Sequence, residues 1–463
     1  MKELVDLTII GTGISGISCA LTLVNANYKG KIRLIDLGKN YEDRHCFIDS
    51  WEYCKNCNPC NTFAGFGGSV HYGDSAKLSC FPSGSRLLKL IGEANAKVFQ
   101  DMALSLFDKT PNDFQIPEAN LLSINYKTYP LSILDEIDTK VLIKKWYEIL
   151  KASKNIEICF NTEVSVIKQT KDGFEISTTK KDEIFHSKKI VIAVGRQGFQ
   201  WWKNEIRSLN ISFNEPIISK GLRFICPNDL LYKASKLHPD FKTSIFYKSK
   251  KFKTFCFSIG DYGGRIKHSR YNGFMLIDGH GIFEEELSSN YSNFAILTQM
   301  KEDGKPLSFD WVQKNIITPF AQKNKTFPGK PLIQKYIDFK EKKVSNINVS
   351  SITEFNAINY FSADLSEFFN TIEHEGICFV FEQLINEFYS LTDKKISLDE
   401  IVSKVYVLGI EIEGLWDVIK IDSSMQSSIK DLYVIGDCAG IAQGILQSAI
   451  SGCIAADSIN APT

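Results

Sequence analysis

Val5–Asp36 reads VDLTIIGTGISGISCALTLVNANYKGKIRLID, and this stretch decides the fold. The apolar run Leu4–Ile10 predicts a buried parallel strand. It runs into Gly11-Thr12-Gly13-Ile14-Ser15-Gly16, and the residues after it carry apolar side chains at helical spacing. A second apolar run, Ile32–Ile35, ends in Asp36. Strand, glycine turn, helix, strand and terminal acid together form a βαβ dinucleotide-binding pattern. Gly11 permits the tight turn, Gly13 lets backbone approach a pyrophosphate, and Gly16 lets helix and strand pack closely. The free N–H groups at the helix start, beside Ile14 and Ser15, suit an anion. Asp36 is expected to accept ribose hydroxyls. The glycine triplet alone would be a weak signal; its setting makes it a strong one.

With 463 residues, the chain is long enough for two or three structural units. Lys and Arg number 54, as do Asp and Glu. That balance argues against nucleic acid or an anionic membrane as the main partner. The local basic run Lys248–Lys253 reads as a solvated hairpin edge. No apolar run is long enough for a membrane span, and Glu3 and Asp6 flank the first apolar run, unlike a signal peptide. Twelve cysteines without an export signal predict reduced thiols and a cytoplasmic protein.

Beyond Asp36 the chain becomes polar and irregular, with Cys54, Cys57 and Cys60 at two-residue spacing. Such a run suits a metal or cluster, a redox dithiol, or plain loop thiols, and the sequence leaves all three open. Cys46 or Cys80 would be a fourth ligand. A glycine-rich segment with Gly65, Gly67, Gly68, His71 and Gly73 follows. Helical periodicity returns at 85–107 and 140–150, then a hairpin turns at Lys171-Asp172-Gly173. The buried strand Lys189–Val194 ends at Gly195-Arg196. From 214 to 404 strand-like pieces dominate, with helical stretches at 309–323 and 365–391. The α/β pattern then returns: Leu432–Ile435 closes on Gly436-Asp437, and a long helix opens near Gly444-Ile445.

These pieces in this order resemble the glutathione-reductase-type FAD-binding fold. More closely, the chain is similar to a family known as uncharacterised FAD-dependent dehydrogenases. That likeness rests on Cys54-x-x-Cys57-x-Pro-Cys60, Gly65-Phe-Gly67-Gly68, Asp74-x-x-Lys77-Leu78, Gly195-Arg196-x-Gly198, Gly221-x-Arg223, Thr254-Phe255-Cys256, Glu411, and Gly440 with Gly444-Ile445. The chain departs from the family pattern at Ser69-Val-His71-Tyr72, at Phe257–Asp261, and at Asp437, where a Glu is expected. The resemblance implies an α/β fold: a Rossmann-like FAD domain, 1–213 and 405–463, with an inserted α+β substrate or cap domain at 214–404. It implies FAD contacts from Gly11, Gly13, Ile14, Ser15, Gly16, Asp36, Gly67, Gly68, Val164, Gly195, Gly436, Asp437, Gly444 and Ile445. The inserted domain is expected to cover the flavin's reactive face.

The implied activity is an FAD-dependent oxidoreductase passing hydride to or from a small or medium organic substrate. A flavin monooxygenase and a non-catalytic flavin-bound sensor are the rivals. NAD(P)H would be a transient reductant only, because the middle of the chain lacks a second glycine fingerprint. His71, Asp74 and Lys77 are the catalytic candidates, His71 because imidazole exchanges protons near neutral pH. The plainer readings are a loop histidine hydrogen-bonded to backbone for His71 and a structural pair for Asp74 and Lys77. No metal is assigned, though Cys54, Cys57 and Cys60 are candidate ligands expected at the active-site rim.

Overall fold

The computed structural model describes residues 3–461 apart from 51, 73, 74, 119, 120, 272, 273, 324–329, 350, 351 and 353–359. Two large sheets dominate it. The first holds β1 (Leu4–Ile10), β2 (Ile32–Ile35), β3 (Ile156–Cys159), β4 (Val164–Thr170), β5 (Gly173–Thr178) and β6 (Ile184–Ile192). Their order is β3-β2-β1-β6-β5-β4. The β3, β2, β1 and β6 strands run parallel, while β5 and β4 form an antiparallel meander. Leu432–Val434 pairs in parallel with the end of β6, so the last part of the chain completes the first sheet.

Both faces of this sheet are covered, which explains its near-continuous apolar strands. Leu7, Ile9, Leu34 and Val191 are buried on one side, and Ile10, Ile35, Ile190 and Ile192 on the other. Each such side chain contributes about 1.5–3 kcal/mol by leaving water. α1 (Ile14–Asn25) packs against the C-terminal helix Ile445–Asn460. Their backbones approach so closely that a Cβ on Gly452 would sit 2.4 Å from the Ser15 carbonyl oxygen.

The second sheet is built from β7 (Ser219–Pro227), β8 (Ser244–Tyr247), β9 (Lys250–Ser258), β12 (Tyr291–Gln299), β13 (Leu332–Lys335), β14 (Phe361–Ser362) and β15 (Tyr406–Glu413). Between β9 and β12 a separate hairpin, β10 (Gly264–Tyr271) and β11 (Phe274–Gly281), stands alone. The sheet order is β8-β9-β12-β7-β15-β13-β14. β15 lies between β7 and β13, so strand pairing carries the second unit past the boundary expected at 404, to Glu413. The cause is that β15 alternates with β7 over almost its whole length, burying Val407, Leu408, Ile410 and Ile412. The expected helix at 365–391 is Thr371–Ser390, started by a capping box between Asn370 and Glu373. Among the described residues no helix is long and apolar enough to cross a membrane.

Candidate functional site

The glycine turn after β1 separates two kinds of glycine. Gly11 has φ +107°, and a Cβ there would lie 2.3 Å from the Ala193 carbonyl oxygen. A Cβ on Gly16 would lie 2.0 Å from the Gly11 carbonyl oxygen. The protein itself therefore demands glycine at both positions. Gly13 differs: its φ of −74° suits any residue, and its nearest neighbour would be Gly68 Cα at 4.0 Å. Among the described residues nothing requires glycine there. Its missing side chain leaves a cradle open to the cleft, above the uncapped start of α1.

The second helix start facing this cleft is that of Ile445–Asn460. Its cap residue, Gly444, has φ +110° and supplies no side-chain cap. Gln447 in the first turn donates to the Ser79 and Ser83 carbonyls at 2.8 and 3.2 Å, fixing the helix start to the strand Ser75–Ser79. Two helix N-termini, each a positive dipole end, thus open on one cavity.

Two buried side chains hold the loops around the cradle. Asp36 takes four protein donors. The Thr12 amide and hydroxyl donate to Oδ2 at 2.7 Å, and the Gly38 and Gly65 amides to Oδ1 at 2.8 Å. These bonds fill the carboxylate's lone pairs. Asp36 therefore ties the first glycine turn to the glycine-rich segment, where a ribose contact was expected. Arg44, which sequence reasoning missed, donates to the carbonyls of Asn61, Thr62, Gly65, Phe66 and Gly68 at 2.7–3.4 Å. One planar guanidinium with five N–H donors can gather a loop in this way.

The cleft holds about 700 Å³ and lies between the first sheet's loops and the second sheet. Two ionic corners line it. In one, Asp240 meets Lys242 at 2.7 Å, Lys77 at 3.7 Å and the Tyr129 hydroxyl at 2.6 Å. Burial opposes its charge, but the two lysines and the tyrosine outweigh burial and hold its carboxyl below the usual range. In the other, Arg196 grips both oxygens of Asp278 at 3.0 and 2.9 Å and reaches Glu413 Oε1 at 3.4 Å. Burial pushes Glu413 up to about 7; Arg196 opposes this, while Asp278 and Glu411 add to it. Behind this corner, Arg223 is fully buried, paired with Glu411 at 2.8 Å and with Asn293 at 2.7 Å. Asp437 also lines the cleft, and burial raises its pKa.

Of the sequence-expected residues, Gly11, Gly13, Ile14, Ser15, Asp36, Gly68, Val164, Gly195, Asp437, Gly444 and Ile445 line the cleft. Gly16, Gly67 and Gly436 stand behind it: Gly16 under the turn, Gly67 against His71 and Ile143, and Gly436 against Ser15. Lys77 lines the cleft, donates to the Phe257 carbonyl and flanks Asp240. Asp74, its expected partner, lies outside the described residues. His71 is not among the residues lining the cleft and stands near Tyr41. Burial, with Arg44, Lys140 and Lys267 nearby, pushes it down to about 3, so it is neutral at physiological pH. It is poorly suited to the proton exchange expected of it. Cys54, Cys57 and Cys60 lie in irregular chain outside any disulfide and do not line the cleft, although Thr62, Phe63 and Ala64 just beyond them do. Among the described residues no group of three or more His, Cys, Asp or Glu side chains is arranged to hold a metal ion.

Asp240, Lys242, Asp278 and Glu413 were not found from sequence. The available signal was β15, YVLGIEIE, where Glu411 and Glu413 break an otherwise apolar, buried strand. Carboxylates two apart on a strand share one face, and burying both is costly without a purpose.

No protein-family model and no curated protein matches the chain. Among solved structures it is similar to aklavinone-11 hydroxylase in complex with FAD and aklavinone, at 9% identity and a TM-score of 0.41, over 99% of this chain and 62% of that one. A geranylgeranyl bacteriochlorophyll reductase-like protein from Thermoplasma acidophilum gives 10% identity and a TM-score of 0.38, over 99% and 78%. Thioredoxin reductase of T. acidophilum gives 15% and 0.20, over 41% of this chain and 35% of that one. The chain thus spans about a third of that reductase and three fifths of the hydroxylase. At these scores the likeness does not separate one chemistry from another.

Proposed function

We propose that the protein is an FAD-dependent oxidoreductase that passes a hydride between flavin and a small or medium organic substrate held in the cleft. The observation that carries this reading is Gly13, a glycine that only an absent group needs, set at one of two helix N-termini sharing a cavity. That arrangement fits a pyrophosphate at α1 and an electron-accepting ring near Gly444. Bound FAD would supply the hydride chemistry. Ile14 and Ser15 amides would bind phosphate, and the amides after Gly444 would favour negative charge on the cofactor. Asp36 and Arg44 hold the surrounding loops in place before anything binds. The second sheet through Cys256 and Glu413, the β10–β11 hairpin through Asp278, and Lys242 just before β8 would bound the substrate side and exclude water.

Purified or reconstituted protein is expected to be yellow. Gly13→Val should keep the fold, because no protein atom crowds that position, yet weaken FAD binding on the order of 100-fold, about 2.7 kcal/mol. A colourless wild type that takes up no FAD sinks the reading, as does a Gly13→Val protein with full flavin content. Screening alcohols and amines with an artificial electron acceptor tests turnover. NADPH-dependent incorporation of labelled dioxygen into product would assign a monooxygenase instead.

A further inference from the structure

We propose that Glu413 is the proton-exchanging carboxyl of the cleft, handling the proton that accompanies hydride transfer to or from an alcohol or amine. This rests on the FAD reading above. The carboxyl stands at the end of β15, on the second sheet's side of the cavity, and is 17% exposed to it. Arg196 holds Oε1 loosely, with Nη2 at 3.4 Å, while its Nη1 sits between the two oxygens of Asp278. Among the described residues no donor reaches Oε2. The cleft therefore presents a positioned carboxyl oxygen with one face free for a substrate.

The charged groups around Glu413 come from four elements. They are Arg196 after β6, Asp278 on β11, Glu411 on β15 itself and Lys253 on β9. Two anions and burial against a shared arginine leave the group near 7, poised between its two protonation states at physiological pH. The other carboxylates serve less well. Asp240 is held ionised by two lysines and a tyrosine. Glu411 is locked to Arg223 with 1% exposure. Asp437 belongs to the cofactor unit, in the turn after Leu432–Val434.

In the oxidative direction, the substrate's C–H bond breaks and its electron pair leaves as hydride to FAD. The adjacent O–H or N–H bond breaks, its proton goes to Glu413 Oε2, and a C=O or C=N bond forms. The substrate loses two electrons, and FAD gains them. The reverse direction returns the same hydride and proton. A carbon that loses hydride builds positive charge, and removing the neighbouring proton relieves it. This is why the cleft is suited to H–C–O–H or H–C–N–H substrates.

The test is the midpoint potential of the bound FAD as a function of pH, measured on the FAD-loaded full chain. Reduction of bound FAD would add negative charge to the cleft that Glu413 lines, and so would raise the proton affinity of its carboxyl. The wild-type potential should therefore fall more steeply with pH above pH 7, by one extra proton per two electrons, until the higher pKa is passed. Glu413→Gln should remove that extra slope while keeping flavin content. Asp278→Asn takes away a neighbouring negative charge, so it should move the onset of the steep segment to lower pH, and it does not depend on the Gln variant folding. An unchanged steep segment in Glu413→Gln overturns the proposal. So does its absence in wild type, or an unmoved onset in Asp278→Asn. Failure to load FAD at all would instead overturn the cofactor reading, so the two failures are distinct.

Discussion

The two ionic corners of the cleft use the same ingredients to opposite effect. Asp240 is a single carboxylate between two ammonium groups and a phenol, and it stays charged. Glu413 shares one guanidinium with Asp278, next to Glu411, and is driven toward its neutral form. Both are mostly buried, so burial cannot be what separates them. The ratio of cations to carboxylates decides. One corner is a fixed anion that supports its surroundings; the other can change charge within the ordinary pH range.

Three measurements would break or sharpen that contrast. The largest effect should come from Arg196→Met, which leaves Asp278 and Glu413 buried without their shared cation. Urea unfolding at pH 7.5 should show a loss of about 3–5 kcal/mol. A loss under about 1 kcal/mol would mean that the corner is wetter than the geometry says.

Next is the pH dependence of stability in Glu413→Gln. Glu413 has its folded pKa raised from an ordinary 4.5 to about 7, so its contribution is complete below 4.5 and is lost as pH rises through 7. Relative to the Gln variant, wild type should lose up to ~3 kcal/mol across that window. A parallel pair of stability curves would contradict the raised pKa.

The smallest effect should be that of Lys242→Met, about 2 kcal/mol at neutral pH, since Lys77 remains beside Asp240. Asp240 works in the opposite sense: its contribution is present above 3.8 and is lost as pH falls through its depressed folded pKa. Lys242→Met should therefore move the onset of acid unfolding upward. An unchanged acid limb would show that Lys77 and Tyr129 suffice.

The glycine-turn side of the cleft is readable in the sequence because its signals are local. A strand, three glycines and a helix within one short stretch can be recognised from spacing alone, and Gly444 before a helix start is a signal of the same kind. The Arg196 corner was hidden because it is assembled from separate elements. Arg196, Asp278 and Glu413 come from three distant segments, which meet only when β15 pairs with β7 and the β10–β11 hairpin folds over them. His71 stands out through its glycine-rich neighbours, but it is not among the residues lining the cleft, and burial keeps it neutral. Asp36 was found, yet its role changed once four donors were seen to saturate it.

The pairing of Leu432–Val434 with β6, and the seating of Ile445–Asn460 on α1, set a timetable for the chain's birth. The first strand leaves the ribosome early, but the helix that covers it is made long after it. At roughly 5–20 residues per second, the nascent βαβ unit waits on the order of half a minute or more for its cover. β7 likewise waits for β15 to take the place beside it. A ribosome that stalls between Asp36 and Leu432 leaves the first sheet without this parallel strand and α1 without its covering helix, while the second sheet is complete once β15 is out.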